Sequence, residues 1–289
     1  MKRKFKQWIC VLLCFAFSFF TLCPIAMADG ATVLSNEKAK VDVSNAKNGY
    51  ILVAHNGQAK NRLKVRVTGP SGTVYTYDLN KNGQYETFPL SDGNGKYTVG
   101  GYENTSGNKY ALAYSTPVTV MLTNDYAPFL HANQYVNYTS NSQAVKKAAE
   151  LTKGKKTSLD KITVIYEFVV SNLTYDKQKA KNVQSGYLPN VDKVLAEKKG
   201  MWFDYAALMT AMLRSQGIPT KLVVGYTGDV YHAWINTFIP EKGWVEGIIF
   251  FDGTTWKLMD PTFASSANQS KQIMEYIGNG SNYSAKYVY

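Results

Sequence analysis

The stretch Lys199-Gly200-Met201-Trp202-Phe203-Asp204-Tyr205-Ala206-Ala207-Leu208, with its continuation Met212-Leu213-Arg214-Ser215-Gln216-Gly217-Ile218-Pro219, decides the reading of the chain. From Phe203 to Gln216 the run of Ala206, Ala207, Met209, Ala211, Met212 and Leu213 predicts a buried helix, and Gly217-Ile218-Pro219 is its stop signal. Two strands are expected after it, Leu222–Tyr226 and His232–Phe238, and Gly247–Phe251 and Trp256–Asp260 are expected to continue the same sheet. Before it, Ser142–Thr152 and Ser158–Leu173 read as helices with serines at their N-caps. In the second of these, Ile162, Ile165, Tyr166, Val169 and Val170 recur at helical spacing and define a core face. Val191–Lys199 is expected to be a short helix closed by Gly200.

Further towards the N-terminus the pattern changes to β. Tyr50–Ala54, Leu63–Val67, Val74–Tyr77, Tyr97–Tyr102, Tyr110–Tyr114 and Val118–Leu122 read as strands separated by turn signals such as Gly69-Pro70-Ser71-Gly72 and Asp92-Gly93-Asn94-Gly95. Short strands at this spacing predict a sandwich of immunoglobulin-like architecture. The expected division is residues 1–28 a leader, 29–128 the β-sandwich and 129–289 the helix-and-sheet domain. His55 is expected on a surface loop of the sandwich. Tyr75, Tyr77, Tyr85 and Tyr102 are its candidate exposed aromatics.

The composition narrows the function classes. The 289 residues are 45% hydrophobic and 18% charged, too apolar and too weakly charged for a disordered chain. Met1–Ala28 has the parts of a secretory signal: a basic start, an apolar run from Trp8 to Leu22, Pro24, and a small-x-small site at Ala26-Met27-Ala28. Cleavage there would remove Lys2, Arg3, Lys4 and Lys6 and lower the formal charge from +11 to +7. It would also remove Cys10, Cys14 and Cys23, the three cysteines of the sequence, which excludes a disulfide framework in the mature chain. The expected location is extracellular, with no membrane attachment after cleavage. A diffuse positive field without a nucleic-acid motif argues against nucleic acid and favours an anionic cell wall. No loop of the Asp-x-Asp-x-Asp-Gly kind occurs, so neither a metal nor any other cofactor is expected.

In order along the chain stand Gly200-Met201-Trp202-Phe203-Asp204-Tyr205-Ala206, Leu213-Arg214-Ser215-Gln216-Gly217-Ile218-Pro219, Gly225-Tyr226, His232-Ala233-Trp234 and Asp260-Pro261-Thr262. This series resembles the transglutaminase-like superfamily over about residues 160 to 263. The family pattern is Gly-x-Cys-x-Asp/Glu-Tyr/Phe-Ala, Leu-Arg-x-x-Gly-Ile-Pro, Gly-Tyr, His-Ala-Trp and Asp-Pro-Thr. The resemblance implies an α+β, papain-like domain with helices packed on an antiparallel sheet. It also implies a cysteine at a helix N-terminus that attacks an acyl group, a histidine that serves as its base and an aspartate that orients the histidine. His232 falls on the family's histidine and Asp260 on its aspartate. Trp202 stands where the family has its cysteine.

An indole has an N–H donor and no nucleophilic lone pair suited to acyl transfer, so it cannot form the thioester. Asp204 is expected to point away from the face of Trp202. Tyr205 shares that face, but a phenol with a reference pKa of about 10 is a poor nucleophile near neutral pH. The resulting expectation is a secreted, catalytically silent protein in which His232 and Asp260 are vestigial. Trp202, Tyr226, Tyr231 and Trp234 would line an aromatic cleft for a cell-wall polymer, a glycan or an extracellular peptide or protein. Two other readings stand beside it. One is a cysteine-type acyl transferase or peptidase whose active form carries cysteine at 202, a single-base change away. The other is a structural wall-binding protein that acts through its β-sandwich.

Overall fold

The computed structural model describes residues 32–240, 243–245, 249–251, 256–258 and 283–289. The leader Met1–Ala28 and Asp260 lie outside the described residues.

Eight strands build the N-terminal half: β1 (Val33–Ser35), β2 (Ala39–Asp42), β3 (Tyr50–His55), β4 (Leu63–Thr68), β5 (Val74–Leu79), β6 (Glu86–Pro89), β7 (Gly95–Ser106) and β8 (Lys109–Val120). They form two four-stranded antiparallel sheets, in the orders β1-β2-β3-β6 and β5-β4-β7-β8. Val41, Ile51, Val53 and Phe88 of the first sheet share one apolar core with Val65, Val67, Tyr77 and Val99 of the second. The alternation Leu63, Val65, Val67 inward and Lys64, Arg66 outward is the pleat's period of two.

Three details correct the sequence reading. Tyr110–Tyr114 and Val118–Val120 are not separate strands but parts of β8, which runs through Pro117 and ends before Met121 and Leu122. β8 is an edge strand, so proline's missing N–H costs no ladder bond. His55 is not on a surface loop: it ends β3, is buried, and places Nε2 3.2 Å from Glu103 Oε1. Tyr75 and Tyr77 are buried, and Tyr85 and Tyr102 are half-buried, so these four form no exposed aromatic surface.

The second half opens with α1 (Gln143–Thr152) and α2 (Ser158–Asn172). Thr157, not Ser158, caps α2, its Oγ1 accepting from the Asp160 N–H at 3.1 Å. Ile162, Ile165, Tyr166 and Val169 are buried on the expected face. Next come β9 (Thr174–Tyr175), α3 (Lys177–Asn182), α4 (Val191–Glu197), β10 (Lys199–Gly200) and α5 (Trp202–Ser215). Lys198, at φ 52°, ends α4 two residues earlier than expected. Gly200 belongs instead to β10, which pairs in parallel with β9.

α5 is the most buried element of this half, and its apolar residues belong to the same continuous core as the sandwich. Every residue from Phe203 to Arg214 is buried. It ends in a Schellman motif: the Ile218 N–H donates to Leu213 O at 3.1 Å, and the Gly217 N–H to Arg214 O at 2.9 Å. Gly217 lies at φ 75°, the left-handed conformation this stop requires, and Pro219 follows.

α5 packs on β11 (Thr220–Thr227) and β12 (Val230–Ile239) of an antiparallel sheet that also contains β13 (Gly243–Val245) and β16 (Tyr283–Val288), in the order β13-β12-β11-β16. β14 (Ile249–Phe251) and β15 (Trp256–Leu258) do not continue that sheet; they pair with each other, Ile249 opposite Leu258. Its fourth place is taken by β16. A side chain at Gly225 would put a Cβ 2.0 Å from Ser284 O, so β16 approaches β11 this closely only at a glycine. Among the described residues no helix is long and apolar enough to cross a membrane.

Tyrosines join the halves. Tyr75 and Tyr77 of β5 meet Tyr289 at centroid distances of 5.7 and 6.0 Å, and Tyr135 meets it at 4.4 Å. The Ser91 hydroxyl donates to Val288 O at 2.6 Å.

Candidate active-site cleft

The cleft is built at the N-terminal end of α5. Met201, extended, is the N-cap, and Trp202 is the first helical residue. Its ring stacks on Phe203 (centroids 5.3 Å), stands edge-on to Tyr231 (5.9 Å) and tilts against His232 (6.0 Å). Residues 202 and 232, linked in the sequence only by motif order, are thus neighbours. His232 lies on β12 opposite Gly225 and is 3% exposed, shut off from solvent.

Trp202 is half-buried and faces a cleft of about 390 Å³. Tyr231 and Tyr187 also line it, with Tyr135 and Tyr289 at its base and Gln184 and Ser185 as polar members. Among the described residues no charged side chain lines this space, and neither does His232. The indole therefore contributes to the cleft and separates it from the histidine.

The remaining predicted members divide. Tyr226 is 39% exposed, packs edge-on against Tyr231 (5.4 Å) and does not line the cleft. Trp234 is not a cleft residue: it is buried, and strand alternation places it on the face of β12 opposite Tyr231. There it packs on Tyr283 at 5.2 Å. Tyr205 is fully buried beside Tyr175 and offers no nucleophile to the cleft.

Asp204 does point away from the Trp202 face, but it holds the site together. It is completely buried. Oδ2 accepts from the Met201 N–H at 2.9 Å and from Lys179 Nζ at 2.6 Å, and Oδ1 accepts from the Tyr187 hydroxyl. The carboxylate therefore satisfies a helix-start N–H and anchors the 179–187 segment that forms one wall of the cleft. Burial, followed by the bond to Asp204, pushes the Tyr187 phenol far above its ordinary range. A Cβ at Gly200 would lie 2.7 Å from Asp204 Cβ, so the returning carboxylate needs glycine there. The sequence carried two signals of this role, an acidic residue at the third helical position and the glycine before the cap. Lys179 and Tyr187 gave none, since their segment has no periodicity.

Among the described residues no three His, Cys, Asp or Glu side chains converge as a metal site. A helix N-terminus facing a strand-borne histidine is the framework of nucleophile–base acyl transfer. Residues 145–247 match the model of the Transglutaminase-like superfamily, and this part of the chain is a transglutaminase-like domain. Over 197 residues the chain is 25% identical to the uncharacterized protein YebA of Bacillus subtilis strain 168; the match takes in 58% of this chain and 26% of that protein. The chain thus spans well under two thirds of that relative's length. Among solved structures, a candidate cysteine protease from Cytophaga hutchinsonii aligns with a TM-score of 0.37 and 17% identity, over 72% of this chain and 68% of that one. The transglutaminase of red sea bream aligns with a TM-score of 0.29 and 13% identity, over 79% of this chain and 53% of its own.

Proposed function

We propose that this transglutaminase-like protein is catalytically silent and binds an extended, uncharged ligand outside the cell, a wall glycan or a peptide, in the cleft bordered by Trp202. One observation carries the reading: the indole that the sequence motif sets against the family's cysteine starts α5, lines the cleft and packs against the buried His232. An acyl group entering the cleft meets a ring face and no thiolate. Aromatic walls without charged side chains suit the apolar faces of sugars or an extended peptide, with Gln184 and Ser185 for orientation. The signal-like Met1–Ala28 supports export, and an exported protein beginning at Asp29 would establish it by N-terminal sequencing.

The test is titration of the purified chain with soluble cell-wall fragments, followed by tryptophan fluorescence. Saturable change in the wild type, lost in Trp202→Ala at unchanged thermal midpoint, is expected. Equal binding by both proteins overturns the cleft assignment. Hydrolysis or cross-linking of the fragments by the wild type overturns catalytic silence.

The proximity of His232 favours a second reading, an active form with cysteine at 202. In Trp202→Cys, a thiol alkylated by iodoacetamide at pH 6 as fast as at pH 8 would mean that the histidine still activates it. Reactivity rising with an ordinary thiol pKa of ~8.5 would mean that it does not.

A further inference from the structure

A second cavity, of about 410 Å³, lies at the junction of the two halves, between β6, the 132–137 connection and residues 188–190. Residues 183–190 separate it from the Trp202 cleft: 183–187 line one space and 188–190 the other. An adjoining hollow of about 220 Å³ shares Asn137, Pro189 and Asn190 with it. The size falls within the ~300–1,000 Å³ typical of small-molecule sites.

The chemistry of this cavity differs from that of the cleft. Its polar lining is Tyr85, Glu86, Thr87, Asn133, Gln134, Asn137 and Asn190, and no cationic side chain lines it. Glu86 is already engaged: Oε1 accepts from Asn80 and Oε2 from the Gln134 amide at 3.0 Å. The amides are only half-used. Asn133 Oδ1 accepts from the Tyr135 and Val136 N–H groups, while Nδ2, buried, has no partner. Asn190 Oδ1 caps α4 through the Lys193 N–H, which leaves its NH₂ available. Gln134 spends its NH₂ on Asp78 O and Glu86, which leaves its carbonyl as an acceptor. Asn137 is exposed. β6 pairs with β3 on one side only, so its outer edge adds backbone donors and acceptors.

The remaining halves, a donor on Asn190, an acceptor on Gln134 and both on Asn137, match the hydroxyls of a sugar, each of them both donor and acceptor. The Tyr85 ring and Pro189 supply apolar faces for ring C–H groups. Among the described residues no cationic side chain lines the cavity; Lys40 lies over the Tyr85 ring, with Nζ 4.9 Å from its centroid. We propose that this junctional cavity is a second binding site, for an uncharged oligosaccharide, independent of Trp202 and of the reading proposed for the cleft.

The test uses the full chain with chitohexaose and maltohexaose as neutral probes, a neutral Gly/Ala hexapeptide and hyaluronan fragments as controls, and isothermal titration and saturation-transfer NMR as readouts. Saturable binding of at least one hexaose is expected. It should weaken tenfold or more in Asn137→Ala/Tyr85→Ala, with an unchanged thermal midpoint, and persist in Trp202→Ala. Absence of hexaose binding overturns the proposal, as does binding lost in Trp202→Ala but retained in the double variant. Preference of this cavity for the peptide or for hyaluronan, shown by loss in the double variant, overturns the glycan assignment. A cleft that fails its own test while the hexaose still binds leaves this site standing.

Discussion

The two ends of α5 each bury a charge, and each solves the problem differently. At the start, Asp204 gathers Tyr187 and the Met201 N–H, which border the cleft, and Lys179 behind them. At the end, Arg214 is buried, and among the described residues no Asp or Glu side chain pairs with it. Its guanidinium donates to three main-chain oxygens, one six residues on and two far along the chain: Nε to Thr220 at 2.8 Å, one terminal nitrogen to His131 at 2.6 Å and the other to Tyr289 at 2.7 Å. Desolvation lowers its pKa to about 10, so it remains charged at neutral pH. The aspartate organises a site, whereas the arginine ties β11, the inter-domain connection and the last strand to one helix end. Residues of one helix with similar burial can thus serve binding at one end and architecture at the other.

The sharpest way to break this contrast is at Arg214. Arg214→Met removes all three side-chain bonds of the fork, although Tyr289 O keeps the Leu222 N–H; a loss of about 3 kcal/mol is expected in urea unfolding. Arg214→Lys should recover only part, because a point charge cannot reach three diverging oxygens. Equal stability of Met and wild type would deny the arginine its architectural role.

Asp204→Asn should cost less, about 2 kcal/mol, since the amide turns an N–H toward groups that all donate. Its signature is local. Hydrogen exchange should accelerate over 177–188 and the Trp202 emission should shift, with the sandwich strands unchanged. Uniform acceleration over both halves would contradict the site-building role.

An effect of a different kind, visible only as the pH falls, is expected at His131, whose carbonyl Arg214 holds and whose ring packs on Tyr50 at 4.5 Å. Burial, then the neighbouring Arg214, lowers its pKa to about 4. The unfolded chain takes up the proton near pH 6.5 and the folded protein resists it. This contribution is therefore complete above about pH 6.5 and is lost as pH falls towards 4, at up to ~1.4 kcal/mol per pH unit. Comparing wild type with His131→Gln across that window isolates the group; parallel stability profiles would exclude it.

The run from α5 to β12 was legible because its signals are local: apolar spacing, a Gly-Ile-Pro stop, and two apolar strands. Order alone brought Trp202 and His232 together. What was missed lacks such signals. α3 buries none of its residues and stands on the Asp176 cap and the Lys179–Asp204 pair. β1, β2 and β6 span only three or four residues, too short for alternation to declare itself. Trp234 was placed in the cleft by motif proximity, but the period of two sent it to the opposite face. Tyr75 and Tyr77 looked available as sandwich aromatics, and only the second domain shows what covers them.

That tyrosine seam has an optical consequence. Burial raises the phenols of Tyr75, Tyr77 and Tyr289 above their ordinary value, and that of Tyr135 to about 12. In an alkaline absorbance titration the tyrosines should therefore appear as two populations. Exposed rings ionise first and reversibly. The seam ionises only when the halves part, so its late absorbance step should coincide with the loss of ellipticity and serve as an intrinsic, label-free gauge of domain separation.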